Sequence, residues 1–202
     1  IKRIKAAYFE HFKKPYYAIQ FSQNGQSEYY DKDNRGLRRQ FLKAPVKFSR
    51  ISSRFTMKRF HPVQKRNKPH LGTDYAAPKG TPIYSTANGT VTHAKYNRYN
   101  GNYVKVKHNS VYTTQYLHMS KIKKGIRPGS KIKQGDIIGF VGSSGLATGP
   151  HVCYRFWKNG RQVDPYKQKL PKSKPIKKAN LSRYTEIKEK VINELEEIGY
   201  PL

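Results

Sequence analysis

The sequence predicts a mainly β, antiparallel fold, with a small α+β segment in front of it and a helix behind it. Three observations carry this. Between Phe48 and Leu170, short alternating runs such as "NYVKVKHN", "YTTQYLHM", "DIIGFVG" and "HVCYRFW" recur between Gly and Pro residues, as half-buried antiparallel strands do. Asn24-Gly25 stands between two aromatic runs, a strong hairpin signal. Beyond Pro171 the composition turns basic and Pro-containing, then helical in pattern.

Taken in order, "IKRIKAAYFEHF" places Ile1, Ile4, Tyr8 and Phe12 near helical spacing, so the chain is expected to open on the end of a helix. It starts at Ile1 with neither Met nor an apolar leader, which suggests a processed or truncated piece. Any membrane anchor would then lie in the missing N-terminal region. Two strands follow around Asn24-Gly25, and Asp33-Asn34-Arg35-Gly36 closes the second, giving an accessory segment over residues 1–45. Residues 46–170 form the main domain. Residues 171–202 read as a basic linker, "PKSKPIKK", and a helix, "LSRYTEIKEKVINELEEIG", with Ser182 as N-cap and Gly199 as stop. No run approaches the roughly 18 apolar residues of a membrane span.

Charge narrows the partners. The 202 residues hold 41 Lys+Arg against 12 Asp+Glu, a formal net charge of +29. Such a chain seeks polyanions, whether nucleic acid, anionic lipid or an acidic polymer of the cell envelope, and charge alone does not choose among them. Nucleic acid is not expected, because no RRM, KH or zinc-finger signature accompanies the charge. The single cysteine, Cys153, rules out an intrachain disulfide.

Three stretches could carry chemistry. In "GPHVCYRFW", His151 and Cys153 are one residue apart, so a strand points both to one face. In "HLGTDYAAPKGTP", His70 and Asp74 have three residues between them, and the Gly and Pro residues favour an extended or turning segment over a helix. In "YTTQYLHMS", alternation puts His118 on the face of Tyr116, with Leu117 opposite. Each alone has a bland reading: a satisfied strand-end histidine, an incidental pair, a small buried thiol. Together they supply three metal donors and two further histidines to move protons, the inventory of a hydrolytic zinc site. The loop "VGSSGLATGPH" lacks the Lys-Ser/Thr ending of a phosphate-binding loop and reads as a turn.

"HLGTDYAAPKGTPI", "YLHMS", "IKQGDIIGFVGSSGLATGPH" and "NGRQVDP", in that order, resemble the LytM/lysostaphin-type zinc metallopeptidases, which cut peptide cross-links in bacterial peptidoglycan. The likeness covers roughly residues 46–167. Upstream, "YYDKDNRGLRRQFLKAPVKFSRISSRF" resembles the accessory segment of envelope-anchored murein DD-endopeptidases. The resemblance implies a LytM-type β-sandwich with an open groove, Zn2+ as cofactor, peptidoglycan as substrate, and a periplasmic or envelope location. It assigns His70 and Asp74 to the metal, His118 to assist catalysis, and His151 to act as base or transition-state stabiliser. The family's third ligand is the second histidine of an H-x-H motif, and this chain has Cys153 there. Thiolate binds zinc well, but its greater donation leaves bound water less acidic. Some relatives that have lost ligands serve as wall-binding or amidase-activating modules, which is the alternative reading.

Overall fold

The computed structural model describes residues 4–47, 49–61, 66–170, 172–173 and 175–198. The chain divides into two units, Phe41–Leu170 and Ile1–Gln40 with Pro171–Leu202. The front of the chain is all strand: β1 (Ala6–His11), β2 (Lys14–Gln23), β3 (Gln26–Tyr30) and β4 (Gly36–Arg39), each antiparallel to the next. The expected opening helix is therefore corrected to a strand, with Ile1 outside the described residues. A spacing of four between Ile4, Tyr8 and Phe12 is also a multiple of two, so it fits a strand equally well. The partner decides: β1 pairs with β2 from Ala6↔Ile19 to His11↔Lys14, and Tyr8 packs edge-on to Tyr17. The hairpin at Asn24-Gly25 is as the sequence implies, both residues having positive φ (51° and 71°), the combination a type I′ turn requires.

The second unit comprises β5 (Arg50–Ser53), β6 (Thr56–His61), β7 (Arg66–His70), β8 (Thr73–Ala76), β9 (Pro82–Tyr84), β10 (Gly89–Asn97), β11 (Gly101–Lys107), β12 (Tyr112–Ile122), β13 (Lys131–Ile132), β14 (Ile137–Val141), β15 (His151–Lys158) and β16 (Arg161–Gln162). The main sheet runs β13-β10-β11-β12-β15-β8-β5, all antiparallel, while β6 and β7 form a separate hairpin. β12 is shared. It pairs with β15 as far as Leu117 and with β14 from Met119, and β14 in turn pairs with β9. The sheet turns this corner at His118, whose φ of 64° is left-handed.

Inside, Val91, Val104, Val106, Tyr116, Ile138, Tyr154 and Phe156 share one core. The buried hydroxyls of Tyr116, Tyr154 and Thr86 satisfy one another. Tyr116 Oη takes a hydrogen bond from Thr86 N at 2.9 Å, and Thr86 Oγ1 lies 2.9 Å from both the Tyr116 and Tyr154 hydroxyls. That network ties the loop after β9 to the two central strands.

The rear of the chain returns to the front unit. β17 (Lys172–Ser173) pairs with β4, and α1 (Leu181–Glu197) buries Tyr184 against Ile19, Phe21, Tyr30 and Ile176. Tyr184, Ile187 and Val191, three and four apart, form its inward stripe. The linker and helix thus complete the core of the front segment. α1 begins after Asn180, which makes no side-chain cap, and Ser182 falls inside the first turn, so the expected cap is corrected by two residues. A preceding 3-10 turn, Lys178–Asn180, already bends the chain into helical geometry. Gly199 lies outside the described residues. Among the described residues no helix is long and apolar enough to cross a membrane.

Candidate active site

Strand register brings the site together. Leu117, Cys153, Asp74 and Ser53 are successive cross-strand partners on β12, β15, β8 and β5. His151, two residues before Cys153, falls on the same face, and Val152 between them enters the core. His70 ends β7 and reaches Asp74 across the short turn at Leu71-Gly72, so the H-x-x-x-D pair converges from two strands. His70 Nε2 lies 3.0 Å from Asp74 Oδ1 and 3.7 Å from Cys153 Sγ. One donor atom from each of these three buried residues lies within 4.8 Å of the others.

His118 departs from its expected position. An unbroken strand would have placed it beside Tyr116, but its left-handed φ inserts one extra residue opposite β11, between the pairs Val104↔Tyr116 and Asn102↔Met119. Tyr116 points into the core, whereas His118 turns to the groove, its ring centroid 4.8 Å from that of His151 with the planes inclined by 47°. The bulge is held by His118 N donating to Asn100 O at 2.9 Å. Gly101 and Gly145 allow the supporting loops to cross, since a Cβ on Gly101 would strike Ser144 and one on Gly145 would strike the Gly101 backbone.

The three histidines share one design. Nδ1–H of His70 donates to Arg54 O at 3.0 Å, that of His118 to Ser144 O at 2.8 Å, and that of His151 to Gly149 O at 2.8 Å. A carbonyl can only accept, so each ring carries a proton on Nδ1 and turns its Nε2 to the groove. Burial pushes His118 down to about 4, keeping it neutral. For Asp74, burial acts upward, but the His70 hydrogen bond and the His70 and His151 charges outweigh it and hold the carboxyl at about 2. Burial, and then the Asp74 charge, push the Cys153 thiol up to about 12.

His70, Asp74, His118, His151 and Cys153 all line one open groove of roughly 540 Å³. Cys153 also packs against Tyr103 and Leu117, so its back is apolar while its sulfur faces His70. The sequence reading missed the carbonyls of Arg54, Ser144 and Gly149, for which no side-chain pattern exists. It also missed Arg155, which enters the groove because it repeats the two-residue phase of His151 and Cys153.

The sequence pattern of Peptidase family M23 matches residues 68–165. A crystal structure of a catalytic-domain variant of the prophage-encoded M23 protein EnpA from Enterococcus faecalis is 36% identical, with a TM-score of 0.54, covering 62% of this chain and 97% of that one. The chain belongs to peptidase family M23. Peptidoglycan DD-endopeptidase ShyC of Vibrio cholerae is 42% identical over 148 residues, 73% of this chain and 34% of ShyC. A zinc containing peptidase from Vibrio cholerae superposes with a TM-score of 0.61 at 40% identity, over 84% of this chain and 51% of that one. The chain thus spans about a third of the length of ShyC.

M23 enzymes are metallopeptidases, and the donors here suit a tetrahedral metal. With metal–ligand bonds of about 2.0–2.3 Å, the edges of such a tetrahedron are roughly 3.3–3.7 Å. The His70–Asp74 and His70–Cys153 separations, 3.0 and 3.7 Å, are close to that. The chemistry of the set agrees, because with its proton on Nδ1 a neutral His70 would turn an Nε2 lone pair to the Asp74 carboxylate, and a cation would take the place of the proton the two otherwise share.

Proposed function

We propose that this M23 chain is a zinc-dependent endopeptidase that hydrolyses peptide stems or cross-links of bacterial peptidoglycan in the periplasm or cell envelope. The observation that carries the reading is convergence: a nitrogen, an oxygen and a sulfur donor share one buried corner, and two further histidines turn Nε2 toward the same groove. His70, Asp74 and Cys153 would hold zinc. Bound there, zinc supplies Lewis acidity, polarising the scissile carbonyl and acidifying water.

The remaining work falls to the protein. Arg54 O fixes the His70 ring so that Nε2 points at the donor corner. Ser144 O and Gly149 O do the same for His118 and His151, so neither ring must reorient to act. His118, held neutral by burial, accepts a proton at Nε2 from the attacking water. His151 Nε2, 3.9 Å from Asp74 Oδ1, is placed to stabilise the developing oxyanion when it enters the cycle protonated and to give that proton to the leaving amine. His118 then loses its proton to solvent and His151 takes one up. The basic surface favours retention on anionic wall polymers. The peptidoglycan endopeptidase named among the relatives supports this substrate.

The test is digestion of isolated peptidoglycan by the zinc-loaded chain, with muropeptide analysis before and after a chelator. Cross-linked species should fall and uncross-linked ones rise, and chelation should stop it. A loaded chain that binds the wall but releases nothing would make it a binding module instead.

A further inference from the structure

Resting on the peptidase reading of the groove, we propose that Arg155 recognises a free carboxylate on the peptide being cut, making acidic peptides the substrate class. Arg155 follows Cys153 by two residues on β15 and lines the same groove. It is half-buried, and its Nε is wholly enclosed yet makes no hydrogen bond. Among the described residues no carboxylate forms an ion pair with it. The one acid in the described lining, Asp74, faces His70 at 3.0 Å and His151 at 3.9 Å. A partly desolvated guanidinium with a sulfur but no carboxylate beside it is incompletely paired, and a bound carboxylate would offset that cost.

The side chain is also held in place. A Cβ on Gly72 would lie 3.1 Å from Arg155 Cγ, so the bare glycine is the shelf on which the arginine stem rests. Its guanidinium lies beside Cys153, at the edge of the donor corner. A planar fork fixed this way suits the two oxygens of a carboxylate. A second cation, Arg50, lines the groove on the other side: Arg50, Ala76 and His151 are cross-strand neighbours, whereas Arg155 lies beyond Cys153. The two arginines bracket the donor corner, with four residues of β15, about 13 Å, between their levels. A peptide laid across the donors would present a carboxylate beside the scissile bond to Arg155, the pre-ordered member of the pair.

The test uses the full chain, zinc-loaded and carrying His151→Ala so that peptide stays intact. The probes are a synthetic cross-linked dimer of stem peptides with free carboxylates and the same dimer with them amidated. Calorimetric titration should show the acidic dimer binding about 10–100-fold tighter, the worth of a charge-assisted hydrogen bond. Arg155→Gln should erase that preference with zinc content unchanged, and Arg155→Lys should restore part of it. No measurable difference between the two dimers, a preference that survives Arg155→Gln, or an equal loss on both dimers accompanied by zinc release would overturn the proposal. A chain with His151 intact that prefers the acidic dimer but cuts neither would sink the hydrolytic reading and leave carboxylate recognition standing.

Discussion

Gly72→Ala is a sharp probe of the donor corner, because it adds one methyl group beside the proposed sulfur ligand. The new Cβ would sit 2.8 Å from Cys153 Sγ, 3.1 Å from Arg155 Cγ and 3.1 Å from Tyr154 O. Ordinary contacts of this kind are about 3.5–4.0 Å, so sulfur or methyl must move by roughly 0.7 Å or more. The Tyr154 carbonyl belongs to a central strand and has little freedom, which leaves the Cys153 side chain to move. Metal sites tolerate about 0.2 Å in a bond, so the corner cannot keep all three donors in place. Zinc affinity should fall about 10–100-fold, and the zinc-free protein should lose about 1–3 kcal/mol through overpacking. Competition with a zinc chelator reads the first, and urea unfolding of the metal-free chain the second. Gly149→Ala is the control, since a Cβ there meets nothing within 4 Å although the residue adjoins the groove. Wild-type zinc affinity in Gly72→Ala would refute sulfur ligation at this corner.

Three other outcomes are expected. Cys153→Ser should hold zinc less tightly by at least about tenfold in the same chelator competition, because a hydroxyl replaces a thiolate donor. His151→Ala should lower peptidoglycan cleavage by about 10²–10⁴-fold while metal analysis still finds one zinc per chain, as loss of a proton-handling group predicts. His108 sits between Asn88 O and Thr114 Oγ1, both at 2.7 Å, and burial lowers it to about 4. The unfolded chain takes up this proton near pH 6.5 and the folded chain only near 4. Stability should therefore decline as pH falls from 6.5 to 4 and level off below, by about 1–3 kcal/mol from this group. Denaturant titrations across that window should show a shallower decline in His108→Gln.

What could be read from the sequence was whatever local periodicity encodes. Alternation gave the strands of the second unit, and Asn24-Gly25 gave its hairpin because only a few residues accept two successive left-handed conformations. The shared face of His151 and Cys153 followed from a period of two. Three features were hidden for identifiable reasons. β1 was masked by a spacing common to helix and strand. His118 was misplaced because a left-handed residue without glycine leaves no mark in the alternation, yet shifts a side chain from the core to the groove. The return of α1 to Phe21 and Tyr30 joins residues some 150 positions apart, which no local pattern reports.

A sulfur ligand at Cys153 would change the electrostatics of the groove as well as the metal's ligand set. An Asp–His–His corner binding a dication would carry net charge +1; with thiolate in place of one imidazole, the Asp74–His70–Cys153 corner would be neutral. A neutral corner draws an anionic peptide less strongly and polarises its carbonyl less. Arg155 stands where that deficit arises, its guanidinium beside the sulfur and its stem seated on Gly72. The fixed positive charge of Arg155 would restore the missing unit within the same groove, on a group that neither exchanges nor titrates near neutral pH. On this proposal the thiol and the guanidinium would act as one functional unit. Replacing Cys153 by histidine while keeping Arg155 should give a groove more positive than either arrangement alone, and binding of the acidic dimer should then become more salt-sensitive than in the parent chain. Equal salt dependence in the two would show that the arginine does not compensate for the sulfur.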